Sequence, residues 1–218
     1  MAGPEMIHPT AIVHPRTTVG DGSTVGPYAL IGEPPRGTQP GAVETAIGPR
    51  ACIRSHTVIY AGNVIGADFQ TGHGVLIREL NTIGDDVSVG SHAIVEHHVT
   101  IGSRVRIHSD VFIPEYSVLE AGVWIGPAVV FTNAAYPASP SAKQHLLGPR
   151  LCEGARVGAN ATLLPGIVVG RNALIGAGAV VVADVPEGKV VVGNPARIIK
   201  DISEIPAYGQ DALLGRQE

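Results

Sequence analysis

The sequence has few aromatic and few charged residues. Phe, Trp and Tyr make up 4% of its 218 residues, and Asp, Glu, Lys and Arg make up 16%, against roughly 25% charged residues in an average globular protein. The hydrophobic content of 44% is nevertheless ample for a core, which excludes a disordered chain. The core must therefore be built mainly from Val, Ile, Leu and Ala.

Other absences narrow the class of protein. The net charge of −4 gives no basic footprint for nucleic acid. Cys52 and Cys152 form neither a disulfide framework nor a metal-ligand spacing, and they are typical of free thiols in a reducing cytoplasm. The first residues, MAGPEMIHPT, lack the basic start and apolar core of a signal peptide. No apolar run reaches the length of a transmembrane helix, so we expect a cytoplasmic protein.

Glycine, in contrast, is abundant at 28 residues, which argues against a helical bundle because Gly destabilises helix interiors. An aliphatic residue also returns every six positions, and from residue 47 to residue 131 this makes fourteen steps with one exception, Thr71. The anchors of this period are Ile7, Val13, Val19, Val25, Ile31, Ile47, Ile53, Ile59, Ile65, Ile77, Ile83, Val89, Val95, Ile101, Ile107, Ile113, Leu119, Ile125, Phe131, Leu151, Val157, Leu163, Val169, Ile175 and Val181.

Neither a helix, with its period of 3.6, nor a two-faced strand, with its period of 2, explains a period of six. A short strand followed by a tight corner does, and three such units close an 18-residue triangular coil. Successive coils then stack one strand spacing apart, about 4.8 Å. The sequence therefore predicts an all-β solenoid whose anchors point inward.

This period resembles the hexapeptide repeat of the left-handed β-helix acyltransferases over residues 7–197. The resemblance implies a left-handed parallel β-helix, an acyl-CoA-dependent activity and a homotrimer with active sites between subunits. We expect a β-helix domain over 1–197 and a C-terminal tail over 198–218 that caps it with a short helix or strand. Residues 32–46 and 132–150 break the period and are rich in Pro, Gly and polar residues, so we expect two loop excursions there.

Stacked coils place residues 18 positions apart beside one another. One column of such residues reads Ala61, Glu79, His97, Glu115 and Asn133. His97 is thus expected between two glutamates, next to its chain neighbour Glu96. A histidine oriented by carboxylates is a candidate general base.

The segment IVEHHVTIGSRVRI around His97 resembles the catalytic stretch of hexapeptide acyltransferases that act on nucleotide-linked sugars, where an I-x-H-D or V-E-H-D unit supplies the base. The resemblance implies that His97 is this base. The family's Asp is His98 here, so the orienting partner stays open, with Glu115 as a candidate. Candidates for contacts with the acceptor are Arg78, Glu79, Glu96 and Tyr116.

Two further segments resemble the superfamily. AVVFTNAAYP is similar to the F-T-N start of a loop in aminosugar N-acetyltransferases, and it implies that Asn133 or a backbone amide stabilises the oxyanion. The stretch from GANATLLPG to ARIIK resembles the acyl-CoA-binding end. The resemblance implies that small corner residues and nearby cations hold the donor, here Gly158, Gly176, Ala177, Arg197 and Lys200.

The preferred interpretation is N-acetylation of an amino group on a nucleotide-linked sugar, with acetyl-CoA as donor, His97 as general base and no metal. The open alternatives are a sugar O-acetyltransferase, a metal hydratase like the γ-class carbonic anhydrases, and a non-catalytic scaffold. His92 and His97 repeat a spacing of those anhydrases, but the repeat register puts Arg78, Ser91 and Glu96 at their ligand positions. The roles of His73, His92 and His98 stay open.

Overall fold

The structure is a computed structural model, and it describes residues 6–208. The chain winds into a triangular solenoid of about ten coils whose three sides are β-sheets. All pairings are parallel except the last, between β27 and β28. The predicted fold class, a left-handed parallel β-helix, is confirmed.

From β1 to β26, each sheet takes every third strand of the chain, and β27 and β28 are then added to sheet 1. Sheet 1 contains β1 Met6–Ile7, β4 Thr24–Val25, β7 Cys52–Ile53, β10 Gln70–Thr71, β13 Ser88–Val89, β16 Arg106–Ile107, β19 Trp124–Ile125, β22 Arg156–Val157, β25 Leu174–Ile175, β27 Lys189–Val192 and β28 Arg197–Asp201. Sheet 2 contains β2 Ile12–Val13, β5 Leu30–Glu33, β8 Val58–Tyr60, β11 Leu76–Ile77, β14 Ile94–Val95, β17 Phe112–Ile113, β20 Val130–Phe131, β23 Thr162–Leu163 and β26 Val180–Val181. Sheet 3 contains β3 Thr17–Val19, β6 Thr45–Ile47, β9 Val64–Ile65, β12 Thr82–Ile83, β15 Thr100–Ile101, β18 Val118–Leu119, β21 Arg150–Leu151 and β24 Val168–Val169.

We call the turn from sheet 1 to sheet 2 the first corner, that from sheet 2 to sheet 3 the second corner, and that from sheet 3 to sheet 1 the third corner. Ile77 pairs with Ile59 on one side and with Val95 on the other, so residues 18 apart are stacked as predicted. These three anchors are fully buried. Burial of such aliphatic columns supplies the main favourable term for folding, since no single coil has a core of its own.

The exception in the period, Thr71, has a structural reason. Its side chain is buried at the anchor position, and its hydroxyl accepts a hydrogen bond from the Arg54 backbone N–H at 2.9 Å. The same hydroxyl lies 3.2 Å from the Thr57 hydroxyl. A polar anchor is tolerated here because the buried oxygen has partners.

The glycines that follow many anchors serve coil stacking. A Cβ atom on Gly84 would lie 2.7 Å from the Ser103 backbone nitrogen, and one on Gly102 would lie 2.7 Å from that of Ala121. At these positions the backbones of successive coils approach too closely for a side chain. The repeat therefore selects glycine by close packing.

Both interruptions of the period leave the solenoid and return to it. Thr17 pairs with Thr45, 28 positions later rather than 18, and Leu119 pairs with Leu151, 32 positions later. A 3₁₀ helix, Ala142–Gln144, lies in the second excursion. The Leu147 backbone N–H donates to the Asn133 carbonyl, and the Leu147 carbonyl accepts from Gly166 N–H, each at 2.9 Å. These hydrogen bonds join the end of the excursion to the neighbouring coils. The coils therefore continue to stack in register after it.

The chain beyond the last coil folds back on sheet 1. β28 pairs antiparallel with β27, and two 3₁₀ helices follow, Ile202–Glu204 and Pro206–Tyr208. The predicted tail extends to residue 218, and its last ten residues lie outside the described range. No helix among residues 6–208 is long and apolar enough to cross a membrane.

Candidate active site

The second corner holds the strongest cluster of ionisable side chains. β14 ends at Val95, and Glu96 and His97 follow it into the corner. His98 then takes a left-handed conformation, with φ +58°, which turns the chain towards sheet 3. The predicted stacking of Glu79, His97 and Glu115 on successive coils is what the strand register produces.

A chain of contacts links three stacked side chains. His97 Nε2 lies 3.4 Å from Glu115 Oε1, and Asn133 Nδ2 donates to Glu115 Oε2 at 2.6 Å. Glu115 therefore touches both neighbours in the column, and Asn133 fixes its carboxylate. His97 Nδ1 is buried without a hydrogen-bond partner among the described residues, so Nε2 is the ring nitrogen that a substrate can reach.

The other predicted neighbour of His97 is engaged elsewhere. Arg78 donates two hydrogen bonds to Glu79, from Nε at 2.9 Å and from Nη2 at 3.0 Å. The Arg78 guanidinium also lies 3.6 Å from Glu96 Oε2 and 4.9 Å above the Tyr60 ring. Arg78 thus contacts the carboxylates of Glu79 and Glu96, whereas the Glu115 carboxylate contacts His97.

The two carboxylates beside Arg78 have pKa values shifted in opposite directions. Burial disfavours the charge of Glu79, but the hydrogen bonds and charge of Arg78 outweigh it and lower the pKa of Glu79. Burial, together with the charge of Glu115, raises the pKa of Glu96 despite the attraction of Arg78. Of these two carboxylates, Glu96 is therefore the more easily protonated.

The residue at the position of the family's Asp has a different role here. The His98 ring stacks on Tyr116, with centroids 5.7 Å apart and planes 7° apart. The His97 ring meets His98 edge-on at 5.0 Å. His98 thus packs against an aromatic ring, while Glu115 is the carboxylate in contact with His97. Tyr116, which was predicted to contact the acceptor substrate, is exposed at this corner.

A pair of buried asparagines supports the corner from below, and sequence reasoning missed it. Asn81 Nδ2 donates to the Arg78 carbonyl at 2.8 Å, and Asn81 Oδ1 accepts from the Val99 backbone at 2.7 Å. Asn63 repeats this pattern one coil earlier: its Nδ2 donates to the Tyr60 carbonyl at 2.7 Å, and its Oδ1 accepts from Asn81 N–H at 3.0 Å. The available signal was an amide at two positions 18 apart where the repeat usually has a small or aliphatic residue.

The predicted donor residues gather at the first corner, at the C-terminal end. A Cβ on Gly158 would lie 2.5 Å from the Ala177 nitrogen, and one on Gly176 would lie 2.6 Å from Val192 Cγ1. Arg197 pairs with Val192 across β27 and β28, whereas Lys200 pairs with Val190. Four of the five candidates therefore line one edge, and Lys200 lies further along sheet 1. Within one chain this edge and His97 belong to different corners.

One group among the described residues could bring three ligand atoms to a metal ion: Glu96, His97 and Glu115, whose atoms lie within 4.8 Å of one another. It contains a single imidazole, whereas zinc sites favour several nitrogen or sulfur ligands. The Arg78 cation also already lies beside Glu96. His92, which suggested a metal from its spacing to His97, lies at the first corner. The donor set therefore fits a metal poorly.

Comparison with known proteins finds a family match over two regions of the chain. The bacterial transferase hexapeptide family (six repeats) matches residues 82–115 and 148–183. LpxA from Acinetobacter baumannii superposes with a TM-score of 0.51 over 91% of this chain and 75% of its own, at 18% sequence identity, which shows a common fold. The resemblance seen in the sequence is thus confirmed for these two regions, which make up about a third of the chain.

A curated relative shares a shorter stretch. The 2,3,4,5-tetrahydropyridine-2,6-dicarboxylate N-acetyltransferase of Staphylococcus aureus (strain JH9) is 40% identical over 83 residues, which cover 38% of this chain and 32% of the relative. The alignment thus spans about a third of the length of the curated relatives that the chain matches. This stretch of the chain is thus similar to part of an enzyme named for N-acetyl transfer.

Proposed function

We propose that this protein is an acetyl-CoA-dependent N-acetyltransferase whose acceptor is an amino group on a nucleotide-linked sugar. The observation that carries the proposal is the contact of His97 Nε2 with Glu115, which Asn133 holds in place. The named activity of the Staphylococcus aureus relative supports the class of reaction. The motif around His97 supports the class of acceptor.

The charge of the site favours an acceptor that carries an amine. Glu79, Glu96 and Glu115 surround His97, and Arg78 compensates only part of their charge. Carboxylates attract an ammonium group and stabilise a cation near them. The ammonium would first lose one proton to water, because only the neutral amine has a lone pair for attack. His97 Nε2 would then take a second proton from the acceptor nitrogen as that nitrogen attacks the thioester carbonyl carbon. The imidazolium so formed would be paired with Glu115.

The rest of the proposed reaction follows the usual course of acyl transfer from a thioester. The new C–N bond forms, the C–S bond of the thioester breaks, and the proton on His97 passes to the departing CoA thiolate. Asn133 donates to Glu115 in this structure, so a backbone amide at the corner is the better candidate for the oxyanion donor.

We propose that the active site is completed between subunits of a homotrimer. The donor edge and His97 lie at different corners of one chain, so a neighbouring copy would have to bring the two together. Sheet 2, which ends at the His97 corner, offers a suitable surface, because its outward side chains are nearly all apolar over nine coils. These are Ile12, Leu30, Val58, Leu76, Ile94, Phe112, Val130, Thr162 and Val180. Burying such a surface would stabilise an assembly.

Thiol release from acetyl-CoA tests the activity. The full chain is assayed with nucleotide-linked amino sugars, with the same sugars lacking the nucleotide, and with the hydroxyl analogues that lack the amine. Release with the nucleotide-linked amine alone is the expected result. Release with the hydroxyl analogue instead would assign an O-acetyltransferase, and silence with every acceptor would overturn the proposal.

The relative's substrate provides a second candidate acceptor, a dicarboxylate. Arg78 is the cation that could meet a carboxylate of such a molecule, but Glu79 and Glu96 already engage it. Tetrahydropyridine dicarboxylate is therefore included in the assay, and we expect slower turnover with it than with an amino sugar. Faster turnover with the dicarboxylate would reassign the acceptor.

The assembly has its own test. Light scattering on the full chain should give three times the mass of one chain. Phe112→Lys, at the centre of the apolar surface of sheet 2, should shift the protein to monomer, whereas Arg36→Lys in the first excursion should not. A monomeric wild-type protein would contradict the trimer.

A further inference from the structure

A second group of side chains with binding chemistry lies on the outer surface of sheet 1, on a different side of the solenoid from the second corner. The strand register places Arg106, Trp124, Arg156 and Leu174 in one row on successive coils. Arg104 and Tyr208 complete the walls of a cavity of 530 Å³ above this row. We call this cavity the sheet 1 shelf.

The shelf concentrates positive charge in an acidic protein. Three arginines line it, and none of its lining residues is a carboxylate in the part of the chain that the structure describes. Arg106 is neutralised by Asp86, whose two carboxylate oxygens accept from Nη2 at 2.8 Å. Arg104 and Arg156 have no carboxylate within 4.0 Å among residues 6–208. Two cations are therefore available to an anion.

The shelf also offers aromatic surface. Trp124 is 38% exposed, and the His108 ring contacts it at a centroid distance of 4.6 Å with the two planes tilted by 58°. The Arg156 guanidinium lies 4.9 Å above the Tyr208 ring, which orders the arginine and leaves its edge free for hydrogen bonds. An exposed indole beside ordered guanidinium groups matches a ligand that has both a flat ring and a phosphate.

The dimensions indicate a small molecule. Arg104 and Arg156, the two available cations, belong to coils that are two apart, which is about 10 Å along the stack. The cavity volume lies within the range of small-ligand sites, about 300–1,000 Å³. The net charge of −4 disfavours a long nucleic acid.

We propose that the sheet 1 shelf binds a nucleoside diphosphate, with Trp124 stacking on the base and Arg104 and Arg156 holding the phosphates. The shelf adjoins the candidate donor edge, because Gly158 also lines it. None of its side chains belongs to the second corner, so binding at the shelf can be measured separately from the proposed acetyl transfer. Two sources share this chemistry: the nucleotide portion of coenzyme A, and a free or sugar-linked nucleotide.

Trp124 makes the test specific, because it is the single tryptophan of the chain. ADP is titrated into the full protein while Trp124 fluorescence and the heat of binding are recorded. The expected result is a saturable change in both signals. Arg156→Gln and Arg104→Gln should each weaken binding about tenfold through loss of a charge-assisted hydrogen bond, and the matched control Arg36→Gln should bind like the wild type.

Competition experiments distinguish the two possible sources of the nucleotide. If coenzyme A displaces ADP, the shelf holds the nucleotide of the donor. If UDP displaces ADP and coenzyme A does not, the shelf holds a separate nucleotide. His97→Gln should retain binding, which distinguishes this site from the proposed active site. Absence of both signals with every nucleotide would overturn the proposal, as would binding that survives both arginine substitutions.

Discussion

The first and second corners share one backbone design but differ in chemistry. Each has a histidine at the third position of its repeat, His73 at the first corner and His97 at the second. His73 is exposed, and its Nδ1 lies 2.8 Å from the Ser55 hydroxyl. His97 is half-buried, and its Nε2 lies 3.4 Å from a carboxylate of Glu115. The difference arises from the residue 18 positions away, since the turns themselves are alike.

This comparison shows how a solenoid of repeats creates a site. Residues 18 positions apart lie one strand spacing apart on neighbouring coils, so their side chains can be in contact. A histidine therefore acquires a charged partner from the next coil, as His97 does from Glu115. Substitutions in the two columns can test whether the stacked partner determines function.

The largest expected effect is on turnover. His97→Gln should lower kcat about 10²- to 10⁴-fold, because it removes the proposed base. His73→Gln should leave kcat within about twofold, since His73 has no proposed role in the reaction and its exposed substitution is expected to cost little. Both variants are measured by thiol release and by thermal unfolding. Equal losses in the two variants would remove the distinction between the corners.

The stacked partner should have the next largest effect. Glu115→Gln removes a charge beside His97, and interactions with charged groups contribute about 1.5–3 kcal/mol, which corresponds to roughly a 10- to 150-fold loss of kcat. We expect KM for the acceptor to change less than kcat, because Glu115 would act through His97.

Ser91→Ala is the control for Glu115→Gln. Its hydroxyl accepts from the His73 backbone N–H at 3.0 Å, so this substitution removes the stacked partner at the first corner. It should not alter kcat. A change in KM alone for Glu115→Gln would place this residue in acceptor binding.

The asparagine pair should affect stability. Asn81→Ala leaves the buried Val99 N–H without its acceptor, at a cost of about 1–3 kcal/mol in the free energy of unfolding. Ser109→Ala, at the first corner, should change it by less than about 0.5 kcal/mol. Urea unfolding measures both. If Asn81→Ala were as stable as the wild type, the asparagine pair would not contribute to the stability of the second corner.

The smallest expected effect depends on pH. Because burial raises the pKa of Glu96, its ionisation opposes folding above the usual glutamate pKa of about 4.3. Glu96→Gln should therefore be more stable than the wild type at neutral pH, by less than about 1 kcal/mol, and the two should converge in acid. A less stable variant at neutral pH would mean that the contact with Arg78 outweighs burial.

The period of six was sufficient to predict the solenoid, the stacking and the two excursions. Strict registration makes this possible, since the position of Ile77 determines the positions of Ile59 and Val95. The proximity of His97 and Glu115 was predicted in the same way, because they are 18 positions apart and therefore lie on successive coils. Because backbone register sets these contacts, counting residues recovers them.

Side-chain orientation could not be predicted in this way. Glu79 and Glu115 are equivalent by register, yet Arg78 turns towards Glu79 and leaves Glu115 to His97. The engagement of Asn133 by Glu115 likewise depends on rotamers at the start of an excursion. Tyr208 reaches the sheet 1 shelf through two 3₁₀ helices outside the repeat, where the periodic pattern carries no information.

The closure of the second excursion at Asn133, Leu147 and Gly166 has a consequence for adaptability. The coils hold both ends of the segment. Its interior can therefore change in length and sequence without disturbing the stacked coils. Sequences of other lengths can occupy positions 134–146 while the stacked frame keeps the geometry of His97 and Glu115. A scaffold organised in this way can accommodate a different segment beside its second corner without a change at His97.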